Sequence, residues 1–256
     1  MSAEDGGGDV AVTTAKGIAT IHFGHLKGNS LPGALLRRMA EAVDAAGADP
    51  QARVVVLRST EPAPFCAGAS FDELKSIGDA ATGKEFFMGF ARLILAMRRA
   101  PKFIIARVHG KTVGGGVGVV AAADYAIAAT GASLRLSELA VGIGPFVVGP
   151  VIQRKIGLGA FQTLAIDATN WRDAAWGERH GLYAEVCPPG YELDTRVSGL
   201  AERLAASNPE AMARMKATFW DGTDAWPARL EERAAMSGTL VLSDFTRNAL
   251  AAFAAR

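Results

Sequence analysis

The sequence predicts an α/β core followed by a helical tail, and three observations carry that class. β-branched runs at 53–59 and 103–108 alternate with helix-periodic segments across the first two-thirds of the chain. From Asn170 onward the periodicity is almost wholly helical. No low-complexity linker divides the two parts, so a core over 10–193 and a helical region over 194–256 are expected to pack together.

Each element has its own signal. Residues 1–9 are acidic and glycine-rich and are expected to be disordered, after which 10–14 and 18–23 read as a hairpin around Lys16-Gly17. Pro32 opens a helix through Leu35, Leu36, Met39, Ala42 and Val43 that ends near Gly47. The continuous apolar run at 53–59 suits a strand covered on both faces. A small-residue turn at 65–71 leads into a short helix at 72–77, and an amphipathic helix over 83–99 stops at Pro101. Strands at 103–108, 124–129 and 133–137 flank a helix over 114–123, and another helix covers 147–156. In the tail, helices are expected over 172–180, 194–206, 209–220, 227–238 and 240–255.

Composition excludes several functions. Half of the 256 residues are apolar, enough for one large core. Lys and Arg number 27 against 26 Asp and Glu, with no basic run interleaved with aromatics, so nucleic acid is not the expected partner. No apolar stretch reaches membrane-spanning length without a charge or glycine cluster, and the N-terminus is not signal-like; a cytoplasmic protein off the membrane is expected. Cys66 and Cys187 read as free thiols, and His22, His25, His109 and His180 have no metal or triad spacing, so no metal is expected.

The chain's chemistry concentrates at Lys111-Thr112-Val113-Gly114-Gly115-Gly116-Val117-Gly118. Three consecutive glycines at a helix start leave N–H groups uncovered, and such a start attracts a phosphate or an oxygen that becomes negative during reaction. Gly116-Val117-Gly118-Val119-Val120-Ala121 fits the G-x-G-x-x-A dinucleotide pattern with Glu138 downstream, although it lies deep in the chain, five residues past its strand. Alternatively, two small-residue turns, at Ala69 and Gly115, each place an N–H after a buried strand, and converging amides make an oxyanion hole. Close packing of helix against sheet would ask for the same glycines.

Motif order favours the oxyanion hole. Phe65-Cys66-Ala67-Gly68-Ala69, then Val108-His109-Gly110 with Gly114-Gly115-Gly116, then Asp124 in Ala-Ala-Asp-Tyr-Ala-Ile-Ala, then Leu136-Ser137-Glu138-Leu139-Ala140-Val141-Gly142 together resemble the crotonase, or enoyl-CoA hydratase/isomerase, superfamily. Gly-Pro-Phe-Val-Val at 144–148 adds a similarity to its bacterial methylglutaconyl-CoA hydratase-like members. The resemblance implies a crotonase-like spiral of repeated ββα units with a helical C-terminal trimerisation region, and a homotrimer or dimer of trimers. It implies a coenzyme A thioester as substrate, with no separate cofactor. It makes the amides of Ala69 and Gly115 the donors to the thioester oxygen, each contributing on the order of 3 kcal/mol to the barrier. It also implies substrate contacts at Ala67, Ser70, Phe71 and Gly114, a phosphate contact at Lys27, and a last helix, ending in Phe253 and Arg256, that approaches a neighbouring subunit's coenzyme, with core packing as the expected role of Phe253. Phe146, Trp171 and Trp176 are candidates for the acyl pocket, with core packing as their other reading.

Hydrating members of the family carry two glutamates. This chain has the second as Glu138, among Leu134, Leu136, Leu139, Val141 and Ile143, where desolvation should raise its pKa. The first falls at Gly118, which cannot titrate. One glutamate suffices to move a proton between α and γ carbons, and to run hydration if it both activates water and reprotonates the α carbon. The resemblance to methylglutaconyl-CoA hydratase-like members, which tolerate the same loss, places hydratase narrowly ahead of isomerase. Hydrolase and decarboxylase activities, a non-catalytic thioester-binding scaffold and a dehydrogenase are the further alternatives.

Overall fold

The computed structural model describes residues 8–254. Of the segment expected to be disordered, residues 1–7 lie outside the described residues, and Asp9 already belongs to a strand. β1 (Asp9–Ala15) and β2 (Ile18–Gly24) form the antiparallel hairpin over Lys16-Gly17. From β2 the sheet continues in parallel through β3 (Val54–Ser59), β4 (Ile104–Val108), β6 (Tyr125–Ala129) and β9 (Glu185–Cys187). A smaller sheet joins β5 (Thr112–Val113) in parallel to β7 (Ser133–Arg135) and β7 in antiparallel to β8 (Arg172–Asp173).

The continuous apolar runs follow from burial on both faces. Val55, Leu57, Ile104 and Ala106 enter the main core, whereas Val54, Val56, Ile105 and Ile127 enter a second one. The main core is covered by α1 (Gly33–Ala48), which presents Leu35, Leu36, Met39 and Val43, and by α3 (Ala80–Arg99). The second is closed by Leu193, Val197 and Ala201 of α7 (Tyr191–Ala205) and Met212 of α8 (Pro209–Phe219). Each large apolar side chain so buried contributes roughly 1.5–3 kcal/mol. The division expected after residue 193 falls inside α7, whose apolar face lies directly on the sheet.

The tail departs from an all-helical reading. β8 begins the segment expected to be helical over 172–180, leaving α6 (Ala174–Arg179), and β9 extends the main sheet. Both strands are too short to show a period of two. α5 (Gly149–Ile166) carries the helix expected to end at 156 on past a break at Gly157 (φ 79°, ψ 162°). α9 (Trp226–Leu240) lies against α3 with backbones touching: a Cβ built on Gly83 would stand 2.7 Å from the Gly238 carbonyl oxygen. α10 (Asp244–Ala254) is a separate helix rather than one beginning at 240. No described helix is long and apolar enough to cross a membrane.

Asp124, singled out in the sequence only as part of a motif, ties sheet to tail. Its carboxylate accepts from the Ile104 N–H (2.7 Å) and pairs with the buried Lys216 ammonium (2.9 Å). Lys216 also donates to the Lys102 carbonyl (2.8 Å), and desolvation holds its pKa below the usual lysine value.

Candidate active site

Two stretches from distant parts of the sequence are stitched side by side. The Cys66 N–H donates to the Lys111 carbonyl (3.1 Å) and the Val113 N–H to the Cys66 carbonyl (2.9 Å), so 66–69 runs beside the entry to α4 (Gly115–Ala122). On its other side, Leu31 donates to the Gly68 carbonyl and accepts from the Ser70 N–H. That parallel bridge uses the groups flanking Ala69 and turns its own N–H away from Leu31. Gly115 is the first residue of α4, where an N–H has no intrahelical partner. Among the described residues neither the Ala69 nor the Gly115 N–H meets a protein acceptor, and both residues line one cavity. Gly114, which turns the chain into α4, has φ 54° and ψ −123°, a conformation glycine supplies without strain.

Glu138 enters that cavity from the end of the β7 segment. Its carbonyl accepts from Val141 (3.2 Å) and Ile143 (2.9 Å), which fixes its backbone at the start of the 3-10 turn Leu139–Val141. Its residue as a whole is half-buried, yet Oε2 is out of contact with solvent and has no hydrogen-bond partner. Desolvation pushes the carboxyl pKa up to about 7. The cause is the one expected, but the apolar neighbours are partly different: Leu139 is 51% exposed, and the cavity wall is Phe90, Val141, Ile143, Phe146 and Val148.

The glycines also satisfy packing, so the two non-nucleotide readings of the run hold together. A Cβ on Gly114 would stand 3.2 Å from Glu138 Oε1; on Gly115, 2.1 Å from the Phe90 ring; on Gly116, 2.7 Å from Cys66 Sγ. On Gly118, the position of the family's first glutamate, it would stand 2.5 Å from Val148 Cγ1. At Gly115, Gly116 and Gly118, where the distance is below 3 Å, a side chain would force its neighbour to shift. The dinucleotide reading finds no support: the run does not open the sheet's first crossover, and Glu138 lines the same cavity as Ala69 and Gly115. Cys66 is a buried free thiol pushed up to about 12 by desolvation, which makes it inert at neutral pH.

Of the residues singled out by sequence, Ala67, Ala69, Phe71, Gly114, Gly115, Glu138 and Phe146 line this cavity together. Lys27 and Ser70 do not. They line a neighbouring groove with His25 and Asn29, where Lys27 is paired with Asp72 and Ser70 caps α2 (Phe71–Ser76), accepting from the Glu73 N–H (3.4 Å). Arg256 and the side chain of Phe253 lie outside the described residues. Trp171 is no pocket residue: it stands between Lys111 and Arg135, whose cations lie 5.3 and 4.5 Å from the ring centroid, and Trp176 packs on His180 at 4.3 Å. Sequence reasoning missed Leu74, Phe87 and Phe90, Val147 and Val148, and Ser237 from α9. They lie in or beside segments expected to be helical, and a helical period does not say against what a side chain packs.

A sequence profile of the enoyl-CoA hydratase/isomerase family matches residues 13–256, and the chain belongs to that family. The methylglutaconyl-CoA hydratase of Rattus norvegicus is 28% identical over 214 residues, which are 82% of this chain and 67% of that protein. An enoyl-CoA hydratase structure from Mycobacterium avium superposes with a TM-score of 0.82 at 27% identity, over 98% of this chain and 97% of the other. One from Bacillus halodurans shares the fold at a TM-score of 0.87 and 22% identity, over 95% of this chain and 99% of that one. The architecture is therefore the crotonase-type α/β fold.

Proposed function

We propose that this chain is an acyl-CoA-processing enzyme of the enoyl-CoA hydratase type, working through a thioester enolate. The observation that supports it best is the meeting, in one cavity, of two N–H groups without protein acceptors and a carboxyl whose oxygen is buried and unpartnered. In this reading the Ala69 and Gly115 amides hold the thioester oxygen. They gain strength as water adds at the β carbon and negative charge moves onto that oxygen. Glu138 takes the proton of the attacking water and returns a proton to the α carbon, leaving a β-hydroxyacyl thioester. A carboxyl near pKa 7 is suited to both halves of that exchange.

A second reading, movement of a double bond between the α and γ carbons, draws on the Gly118–Val148 contact, which leaves Glu138 as the cavity's single carboxylate among the described residues. α- and γ-Proton exchange in heavy water with a panel of enoyl-CoA thioesters separates the two. β-Hydroxyacyl product supports hydration and a shifted double bond supports isomerisation. Native protein that gives neither exchange nor product with any thioester would remove the proposal and leave a thioester-binding scaffold, and a Glu138→Gln protein as active as the native one would remove Glu138 from the chemistry.

In the same proposal Lys27 and Ser70 face the nucleotide half of the coenzyme from the adjoining groove, Arg256 approaches a neighbouring subunit's coenzyme, and the chain works in the cytoplasm as a homotrimer or dimer of trimers. Phe245, 66% exposed on α10, and Leu240 at the end of α9 support self-association, since exposed large apolar side chains favour burial against a partner. Light scattering on the full-length protein reads the assembly, and a monomer at micromolar concentration would refute it.

A further inference from the structure

Between β3 and the Ala69 turn the chain runs through Glu61-Pro62-Ala63-Pro64-Phe65, whose prolines have no N–H to give. Residues 61–65 enter no backbone-to-backbone hydrogen bond among the described residues, whereas the flanking Thr60 and Cys66 N–H groups donate to the Phe23 and Lys111 carbonyls. Side chains hold the run instead. From one side the Asn29 amide donates to the Thr60 (2.7 Å) and Pro64 (2.8 Å) carbonyls, and from the other His109 Nε2 donates to the Ala63 carbonyl (2.7 Å). A carbonyl only accepts, so Nε2 carries the proton.

His109 lies in the connection from β4 to α4. Its backbone therefore belongs to the segment that delivers Gly115, while its ring holds the segment that delivers Ala69. The two pass closely there: a Cβ on Gly110 would stand 3.7 Å from the Phe65 nitrogen, and the Phe65 ring meets those of Phe23 (5.6 Å) and His109 (6.3 Å) edge-on. The other ring nitrogen, Nδ1, is out of contact with solvent, has no hydrogen-bond partner and faces Glu61 Oε1 at 3.6 Å. Glu61 is in turn engaged by the buried Arg107, which Asp194 holds at 2.6 Å. Burial, with Arg107 and Arg58 nearby, keeps the ring's pKa below the usual histidine value against the opposing pull of the Ala63 bond and Glu61.

Resting on the thioester-enzyme reading above, we infer that His109 is a positioning residue: by holding the Ala63 carbonyl it sets where the Ala69 N–H stands relative to that of Gly115, and so how strongly the pair polarises a thioester carbonyl. The backbone bonds joining Cys66 to Lys111 and Val113 set the two segments at one level. The histidine keeps the run before them from drawing 66–69 out of line. His109 does not itself line the cavity, so it acts through Ala69 alone.

Infrared difference spectra of butanoyl-CoA, labelled with heavy carbon at its thioester carbonyl, read that polarisation on the full-length protein without turnover. The native protein is expected to lower the carbonyl stretch on binding. His109→Leu should lose about half of that lowering or more and about tenfold or more in kcat on enoyl-CoA thioesters, with KM and the butanoyl-CoA Kd within about threefold, since oriented donors act on the transition state and a small misplacement removes their effect. His109→Gln, whose amide nitrogen can stand where Nε2 stands, should restore both readouts, and His109→Asn, one carbon shorter, should not; the Asn protein carries the test if the Leu protein does not fold. A Leu or Asn protein with the native carbonyl shift and kcat, or a Gln protein no better than either, overturns the inference and leaves the thioester reading standing. A carbonyl shift that follows the variants as expected, without turnover of any enoyl-CoA thioester, would sink the catalytic reading and leave the inference standing. A native protein that binds no thioester, or leaves the bound carbonyl unshifted, overturns both.

Discussion

Val148 occupies the space that a side chain at Gly118 would need: a Cβ there would lie 2.5 Å from Val148 Cγ1 and 2.6 Å from its Cβ. Both atoms belong to a β-branched side chain with little rotameric freedom, so the conflict cannot be relieved by a small torsional adjustment. Gly118→Ala is expected to destabilise the fold by about 1–3 kcal/mol through overpacking. Adding Val148→Ala should recover most of that loss. Denaturant titration of the two single variants and the double variant checks it; equal costs for Gly118→Ala in both backgrounds would mean the two sites do not couple.

Glu138 gives the activity and the stability opposite dependences on pH. If its carboxylate is the base, kcat/KM rises as pH passes through about 7, and Glu138→Gln loses about 10²–10⁴-fold in rate while still binding coenzyme A thioesters. For stability the folded carboxyl holds its proton up to about 7, whereas in the unfolded chain it lets go near 4.5. Stability is therefore unaffected by this group below about pH 4.5, falls as pH rises from there to about 7, and stays lower above it. Glu138→Gln should flatten that slope, by about 3 kcal/mol at most. Thermal melts of both proteins at pH 5 and pH 8 measure it.

The Asp124–Lys216 pair is 7% and 2% exposed, and breaking it from one side strands a buried charge. Asp124→Asn is expected to cost about 3–5 kcal/mol, and adding Lys216→Met should restore much of it, because the desolvated ammonium then goes too. Urea midpoints of the two variants decide this; a double variant no more stable than Asp124→Asn would count against the pair.

Lys27 and Asp72 form an exposed pair, with side chains 66% and 61% accessible. Pairs of this kind contribute about 0–1 kcal/mol and yield readily to a competing anion. Asp72→Asn should free the ammonium and lower KM for coenzyme A thioesters a few-fold at low salt. The matching pantetheine thioesters, which lack the nucleotide phosphates, should be unaffected. A parallel change in both substrates would place Lys27 away from the coenzyme.

Long elements were legible from pattern alone. The runs that became β3 and β4 had to be covered on both faces to be so apolar, and α1, α3 and α7 carried a helical period. β5, β8 and β9 were not legible, since two or three residues show no alternation and exist only because a neighbouring strand supplies their hydrogen bonds. At the site, Ala69, Gly115 and Glu138 stood out by motif and share a cavity. Phe90 and Ser237 did not: what puts them there is the docking of α3 on the glycine run and of α9 on α3, a tertiary fact with no local signature.

The backbone-to-backbone crossing of α3 and α9 at Gly83 and Gly238 has a consequence for the enclosure of the site. Ser237, a wall residue of the cavity, sits one position from that crossing. A Cβ at Gly238 would stand 2.4 Å from the Lys84 nitrogen, so a side chain there would prise α9 off α3 and carry Ser237 away from the wall. Ala69, Gly115 and Glu138 would keep their places in such a protein, while water would gain a way in beside the carboxyl.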